Sequence, residues 1–156
     1  MIGIASLRLN AELLRVVFGD YTCEKVINYL SENLSFINPV IIGAADLPGK
    51  STDFNAVVAA KNLGIKKVIN LSNTDYAYDK DPKKYPDAKK LENISWKDYR
   101  ALIPKEFTPG LSTPFDPIAS KMAEESRITV MTMNGRNIEN LEKCFNGEKF
   151  IGTVIS

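Results

Sequence analysis

The sequence predicts an α/β protein whose mostly parallel sheet is covered by helices on both faces. Two observations lead to this class. From Pro39 to Ile155, short apolar runs alternate with helical patterns, as they do in chains built from β–α units. The run Val40-Ile41-Ile42 is also continuous rather than alternating, which is typical of a strand that is buried on both faces.

Helical spacing and turn residues place the elements of the first half. Apolar residues at positions 4, 7, 11, 14 and 17 share one helix face, and Gly19 is a C-terminal stop. Ser51 or Thr52 can cap a later helix that Gly64 ends. The predicted elements are a helix over residues 3–18, a helix from Asp20 or Thr22 to about Asn33, a strand over Pro39–Gly43, a helix over Phe54–Leu63 and a strand over Val68–Leu71.

The second half is predicted by the same signals. Pro117 suits the first turn of a helix, Asn137 can cap another, and Gly147 ends it. The predicted elements are a loop from Asn73 to about Asn93, a helix near Ser95–Leu102, a loop over Pro104–Pro117, a helix to about Ser126, a strand over Arg127–Met133, a turn at Asn134-Gly135, a helix over Ile138–Phe145 and a strand over Phe150–Ile155.

Composition narrows the classes of function. At 156 residues, a single domain over 1–156 is expected. A net charge of +1 gives no reason to expect nucleic acid or a membrane surface as a partner. Histidine is absent, which excludes His-based triads and His-ligated zinc, and no metal ligands are assigned. Cys23 and Cys144 lack Cys-x-x-Cys spacing and are expected to be reduced packing residues of a cytoplasmic protein.

The loop DLPGKSTD, residues 46–53, is the first candidate site. With the preceding Ala44 it nearly matches a phosphate-binding P-loop, but Ala44 replaces the first glycine and no acidic residue ends the next strand. A broader reading is an anion site at a helix N-terminus, where Lys50 adds charge and hydroxyls donate hydrogen bonds. The alternative is structural: Ser51 or Thr52 caps the helix, and Asp53 only complements its dipole.

The stretch SNTDYAYDKDPKKYPDAKK, residues 72–90, is the second candidate site. It follows a buried strand, and open α/β sheets place ligands beyond the carboxyl ends of their strands. Tyr78 can stack on a base, while Asp75 or Asp81 can accept hydrogen bonds from ribose hydroxyls. The alternative is an ordinary solvated surface loop. In the ligand reading, the two loops form facing walls of one cleft.

Four motifs in this order resemble one family. They are DLPGKSTD, NLSNTDYAYDKDPKKYPDAK, PGLSTPFDPIASKMAEE and NLEKCFNGEKFIGTVI. Together they are similar to the UMP kinases of the amino acid kinase superfamily, above all to the archaeal type of uridylate kinase. The similarity extends over essentially the whole chain. It replaces the P-loop reading, because this family has its own fold and no Walker motif.

The resemblance implies a fold and a reaction. The fold would be a three-layer αβα sandwich around a largely parallel sheet, the amino acid kinase fold, assembled as a dimer-based homohexamer. The reaction would transfer the γ-phosphate of ATP to UMP, with Mg²⁺, to give UDP in pyrimidine nucleotide synthesis. A related enzyme of the same fold that acts on a carboxylate or carbamate is an alternative.

The resemblance also implies residue roles. Asp53 stands where related kinases keep an aspartate that orders catalytic lysines. The UMP-binding loop corresponds to Asp46, Leu47, Pro48, Gly49, Lys50, Ser51 and Thr52. The ATP contacts correspond to Ser72, Asn73, Tyr78 and Asp81.

Two departures from the family pattern affect the expectation. Tyr76 stands where the family has a glycine. The family's opening strand and its glycine-rich, lysine-bearing loops have no counterpart in this sequence, so the chain is expected to be the C-terminal portion of a longer fold whose N-terminal strands are missing. The alternative function is therefore a catalytically incomplete nucleotide-binding or oligomerising fragment, or half of a split kinase.

Overall fold

The computed structural model describes residues 2–27, 40–44, 50–106 and 113–156. The chain divides into two compact units, Met1–Gly64 and Ile65–Ser156. The prediction of one domain over 1–156 stays a prediction. Among the described residues, no helix is both long and apolar enough to cross a membrane.

The first unit opens with helix α1, Ile2–Phe18, as predicted. Gly19, at φ +52°, follows it and begins the 3-10 turn Gly19–Tyr21. A left-handed backbone is easily adopted by glycine, which explains why the helix ends there.

The predicted helix from Asp20 or Thr22 is wrong for the part that the structure describes. Thr22 is extended (φ −122°, ψ 169°), and no helix begins between it and Ile27. Instead, Thr22 bridges to Val40 and Ile27 to Gly43, both in parallel. β-branched residues favour extended backbone, which outweighs the capping signal here. The bridge partners Val40 and Gly43 belong to the predicted strand 39–43, but the described residues of that stretch form no continuous strand. Residues 28–39 lie outside the described ranges.

Helix α2, Thr52–Asn62, confirms the predicted helix. Ser51 is its N-cap, and its side chain accepts a hydrogen bond from Phe54 N at 3.0 Å. Gly64 follows the C-cap Leu63 at φ +69°, as predicted. Val57 is fully buried, so its side of α2 is the face that packs inward.

The second unit contains a four-stranded sheet. Its strands are β1 (Lys67–Ser72), β4 (Asn93–Ile94), β5 (Thr129–Asn134) and β6 (Thr153–Ile155), and the helices of the unit are α3 (Trp96–Leu102), α4 (Pro117–Glu125) and α5 (Ile138–Phe145). The strands lie in the order β1-β5-β6-β4. The pairs β1–β5 and β4–β6 are parallel, and β5–β6 is antiparallel. This mixed, mostly parallel sheet agrees with the predicted α/β class.

The centre of this sheet is buried on both faces. The four inner residues of β5, Val130–Met133, are all buried, as expected for a strand with covered faces. Tyr99 connects α3 to the segment before α4, because its hydroxyl donates to Phe115 O at 3.0 Å and accepts from Phe115 N at 2.8 Å. The indole N–H of Trp96 donates to Ile128 O at 3.0 Å.

The loop predicted from Asn73 to about Asn93 is more structured than expected. It contains a two-stranded antiparallel ladder between β2 (Ala77–Tyr78) and β3 (Lys90–Leu91), followed by β4. Strands of two residues carry no periodic pattern, which is why the sequence did not predict them. The closing strand is shorter than the predicted 150–155, since only Thr153–Ile155 pair in it.

Candidate functional site

The second unit presents polar groups where β1 and β5 end. Because these strands are parallel, their carboxyl ends meet, and Ser72 pairs in register with Asn134. Gly135 N donates to Ser72 O at 2.9 Å and extends the ladder. Beyond it, the Asn134 side-chain amide donates to Asp75 Oδ1 at 3.0 Å. A hydroxyl, an amide and a carboxylate therefore lie together at this edge of the sheet, where open α/β sheets bind ligands.

Ser72 and Asn73 are the first two predicted ATP contacts. Ser72 is half-buried and Asn73 is exposed. The Ser72 hydroxyl lies 3.4 Å from Thr74 Oγ1, and Thr74 Oγ1 donates to Tyr76 O at 3.1 Å. A hydroxyl has one proton, so Thr74 can only accept from Ser72. The Ser72 proton can instead turn to an anionic ligand at this edge.

Tyr78, the predicted aromatic contact, is half-buried in β2 and pairs with Lys90. The ladder extends one residue further, because Asp79 N donates to Lys89 O at 3.1 Å and Lys89 N donates to Asp79 Oδ1 at 2.8 Å. This reciprocal pair fixes the backbone direction immediately after Tyr78. The aromatic ring is thus carried by a hydrogen-bonded ladder rather than by an irregular loop.

Asp81, the predicted acidic contact, is exposed and organises the turn that follows. Its Oδ1 accepts from Lys83 N at 2.9 Å, and its carbonyl oxygen accepts from Lys84 N and Tyr85 N. Lys84 Nζ approaches Asp81 Oδ2 at 3.9 Å. Oδ1 of Asp81 therefore stabilises the turn. Oδ2 makes only a weak surface ion pair with Lys84, so it can accept a hydrogen bond from a ribose hydroxyl.

Lys90 and Glu92 form the exposed charge pair beside this ladder. Their Nζ and Oε1 atoms lie 2.7 Å apart, and Lys90 Nζ stands 4.9 Å above the Tyr76 ring. The hydrogen bond that Lys90 donates to Glu92 raises the pKa of Lys90 and lowers the pKa of Glu92. Lys90 is therefore charged throughout the physiological range, but a neighbouring carboxylate already compensates its charge.

In the first unit, the start of α2 carries the other predicted residues. The Ser51 oxygen caps the helix, Thr52 is exposed, and Asp53 is half-buried in the first turn. Lys50 Nζ lies 4.6 Å from the centre of the Phe54 ring, a cation–π distance. The capping alternative thus describes Ser51 correctly, and it does not conflict with an anion site at the same helix N-terminus. Asp46, Leu47, Pro48 and Gly49 lie outside the described residues.

A cavity in the second unit is lined by none of the predicted ATP contacts. It has a volume of about 370 Å³ and is lined by residues such as Trp96, Arg127 and Thr129. Thr129 begins β5, whereas Asn134 ends it, so this cavity belongs to the opposite edge of the sheet. In the described part of the chain, no three Cys, Asp or Glu side chains come together as a metal site would require.

Sequence reasoning missed Asn134 and Thr153. Asn134-Gly135 was predicted to be a plain turn, yet Asn134 joins β5 to Asp75. Its position at the carboxyl end of a predicted parallel strand could have indicated a role in ligand binding. Thr153 is fully buried in β6, and its hydroxyl accepts from Ala77 N at 2.8 Å and donates to Leu91 O. No sequence signal links residues 77, 91 and 153.

Comparisons with known proteins agree on one family. The sequence profile described as the amino acid kinase family matches residues 4–134. The chain is 35% identical over 158 residues to the uridylate kinase of Methanobrevibacter smithii, covering 99% of this chain and 70% of that protein. It is 36% identical over 157 residues to that of Staphylothermus marinus, with the same coverage of 99% and 70%.

Solved structures agree with the sequence comparisons. The crystal structure of uridylate kinase from Archaeoglobus fulgidus superposes with a TM-score of 0.83 at 32% identity, covering 99% of this chain and 70% of that one. The structure of UMP kinase from Ureaplasma parvum has a TM-score of 0.73 at 18% identity, covering 98% of this chain and 68% of that one. The second likeness supports the fold alone.

Proposed function

The chain belongs to the amino acid kinase family, and from that membership we propose that it serves as a UMP kinase. The reaction transfers the γ-phosphoryl group of ATP to a phosphate oxygen of UMP and yields ADP and UDP. The observation that carries the proposal is the polar edge formed by Ser72, Asn134 and Asp75, because it lies where this class of sheet binds ligands. The named activity of the archaeal relatives supports the substrate.

We propose that ATP binds to residues of the second unit. Ser72 and Asn73 offer a hydroxyl and an amide to the phosphates of ATP. Tyr78 offers an aromatic face to the adenine, and Asp81 Oδ2 accepts from the ribose. The support for these roles is that all four residues belong to the segment that runs from the end of β1 to the turn after β2.

We propose that UMP binds to residues 46–52 and the start of α2, which belong to the first unit. Backbone N–H groups at a helix N-terminus and the charge of Lys50 favour the phosphate of UMP. Thr52 is exposed and can donate its hydroxyl. We assign Asp46, Leu47, Pro48, Gly49 and Ser51 to the same loop on the family resemblance.

Catalysis in this proposal is mainly alignment and charge compensation. Phosphoryl transfer requires little covalent participation by the protein, so most of the rate comes from holding the acceptor in line and stabilising the developing charge. Asp53, half-buried in the first turn of α2, is the proposed catalytic aspartate, and the family resemblance assigns its carboxylate the role of ordering catalytic lysines.

We propose that Mg²⁺ binds together with ATP rather than to the protein alone. Asp75 with the Ser72 and Thr74 hydroxyls supplies the hard oxygen donors that Mg²⁺ prefers, but the described residues do not surround a cation by themselves. Mg²⁺ keeps several waters and binds phosphate oxygens readily. When bound, it neutralises charge on the phosphates during transfer.

We also propose that the chain acts in the cytoplasm, where its nucleotide substrates are made and used. In addition, we propose that it forms a homo-oligomer through α1. Ile2, Leu9, Leu13 and Val16 are 86%, 71%, 63% and 66% exposed. Their spacing of seven, four and three residues follows a helix seam, on the side opposite the buried Ala11. An apolar seam of this kind is typical of a helix that packs against a partner. A dimer is the unit from which a hexamer would be assembled.

The decisive experiment measures nucleotide binding and turnover with the whole chain. We expect separate calorimetric titrations to detect both ATP and UMP, and a coupled assay to detect ADP released on addition of UMP. Asp53→Asn should reduce turnover with little change in either dissociation constant, whereas Asp20→Asn, at an exposed aspartate of the same unit, should have no effect. Binding of neither nucleotide, or faster turnover of an acyl or carbamoyl acceptor than of UMP, would refute the proposal.

A further inference from the structure

One buried hydroxyl holds the β2–β3 ladder on the main sheet. Thr153 belongs to β6 and is fully buried. Its Oγ1 accepts from Ala77 N at 2.8 Å and donates to Leu91 O. Ala77 and Leu91 are direct partners in the ladder, so the hydroxyl bonds one backbone group on each of its strands.

The backbone around Thr153 is fixed tightly. Thr153 pairs with Thr132 of β5 in the antiparallel ladder. A Cβ on the preceding Gly152 would lie 2.7 Å from Thr132 O and 2.6 Å from the Phe150 ring, so glycine is required for this close approach. The Thr153 side chain therefore has a defined position relative to the central strand of the sheet.

The ladder, in contrast, has little stability of its own. β2 and β3 contain two residues each. Two-stranded ribbons are marginal in water unless they pack on something else. Ala77 is almost fully buried, so its N–H cannot turn to solvent if Thr153 stops accepting from it. β3 is also held on β6 through the next residue, because Glu92 O accepts from Val154 N at 2.9 Å. The Thr153 hydroxyl adds the bond from Ala77 N that ties β2 to the main sheet, so the position of β2 depends on it.

We propose that Thr153 is a positioning residue for the donor nucleotide. By bonding Ala77 N and Leu91 O, it sets the position of the ladder, and the ladder in turn sets the position of Tyr78 and of the turn at Asp81. Thr153 does not contact ATP in this arrangement. The inference rests on the proposed function, because it takes Tyr78 and Asp81 to be the adenosine-side contacts.

Two substitutions separate the hydroxyl from the bulk of the side chain. Thr153→Val keeps the branched shape and the preference for strand but removes the hydroxyl, leaving Ala77 N and Leu91 O without this partner. Thr153→Ser keeps the hydroxyl and loses only a methyl group. If the hydroxyl acts as proposed, Ser preserves the wild-type behaviour and Val does not.

Hydrogen exchange tests the anchoring without any nucleotide. The reporter is the amide of Asp79, which bonds Lys89 O and not Thr153. We expect Thr153→Val to speed its exchange about tenfold, with Thr153→Ser close to the wild type and the amides of β5 unchanged in both. Equal exchange at Asp79 in the wild type and Thr153→Val, or equal acceleration by Thr153→Ser, would overturn the anchoring.

Nucleotide titrations test the consequence for the donor. We expect Thr153→Val to raise the dissociation constant of ATP about tenfold, equivalent to about 1.4 kcal/mol, with that of UMP unchanged and Thr153→Ser restoring ATP affinity. Equal weakening of ATP and UMP would reduce Thr153 to a general structural role and overturn the inference. A wild-type chain that binds ATP and UMP without turnover would count against the proposed function, and the titrations would still decide the role of Thr153. If the wild-type chain binds neither nucleotide, the proposed role of Thr153 in ATP binding is wrong. Hydrogen exchange would then decide only whether Thr153 anchors the ladder.

Discussion

Asn134 donates its side-chain amide to Asp75 across the carboxyl ends of two parallel strands, at 3.0 Å. The same asparagine accepts from Arg136 N at 3.1 Å through its Oδ1. One side chain therefore ties the segment after β1 to the turn after β5. This bond sets the shape of the edge at which Ser72 is expected to meet the donor phosphates.

Replacing Asn134 with alanine should weaken ATP binding. The substitution removes two exposed hydrogen bonds, the one to Asp75 and the one from Arg136 N. Loss of the first releases Asp75 and costs about 0.5–1.5 kcal/mol. We expect the dissociation constant of ATP to rise about three- to tenfold, with UMP binding unchanged, as measured by calorimetry. The matched control is Asn146→Ala, which removes a longer amide contact to Glu148, at 3.4 Å, at the end of α5. Unchanged ATP affinity in Asn134→Ala would show that this bond does not shape the donor site.

Ser51→Ala should lower the stability of the chain rather than abolish its fold. Ser51 accepts from Phe54 N as the N-cap of α2, and loss of such a cap costs about 1 kcal/mol. The midpoint of urea unfolding should fall while its slope stays constant. Ser6→Ala is the control, because Ser6 lies within α1 and bonds Ile2 O instead of capping a helix. A midpoint equal to that of the control would mean that the cap contributes nothing.

These two residues illustrate how much the sequence could predict. Ser51, Asn137 and Gly64 mark helix ends through local chemistry, and the two helices that they bound, α2 and α5, were predicted within two residues at each end. Asn134 was missed because an Asn-Gly pair is a strong turn signal whatever lies beside it in space.

The remaining differences depend on partners distant in sequence. The β2–β3 ladder is held by Thr153, 76 residues after Ala77, which a local pattern cannot reveal. Thr22 and Ile27 form bridges with Val40 and Gly43 instead of a helix, again through contacts outside any local window. Local chemistry singled out both candidate loops, the family resemblance supplied the complete set of site residues, and their roles stay predictions.

Tyr78→Leu should weaken ATP binding while Tyr78→Phe should not. Stacking of a base on an aromatic side chain contributes about 1–3 kcal/mol, and phenylalanine keeps the ring. We expect at least a fivefold rise in the ATP dissociation constant for leucine, with UMP unaffected. Tyr85→Leu is the control, since Tyr85 is a half-exposed tyrosine of the same segment. If Tyr85→Leu weakens ATP as much as Tyr78→Leu, the assignment of the stacking residue is wrong.

The double substitution Leu9→Glu and Leu13→Glu should dissociate the oligomer proposed to form through α1. Both leucines are highly exposed on the seam, so glutamates there cost little in the isolated chain but place like charges opposite each other in a pair of helices. Sedimentation velocity at several concentrations should then show a monomer where the wild type shows a larger species. Ile138→Glu with Phe145→Glu is the matched control, because these two exposed apolar residues lie on α5. A monomeric wild type would contradict self-association through this helix, and dissociation by both pairs would mean that the effect is not specific to α1.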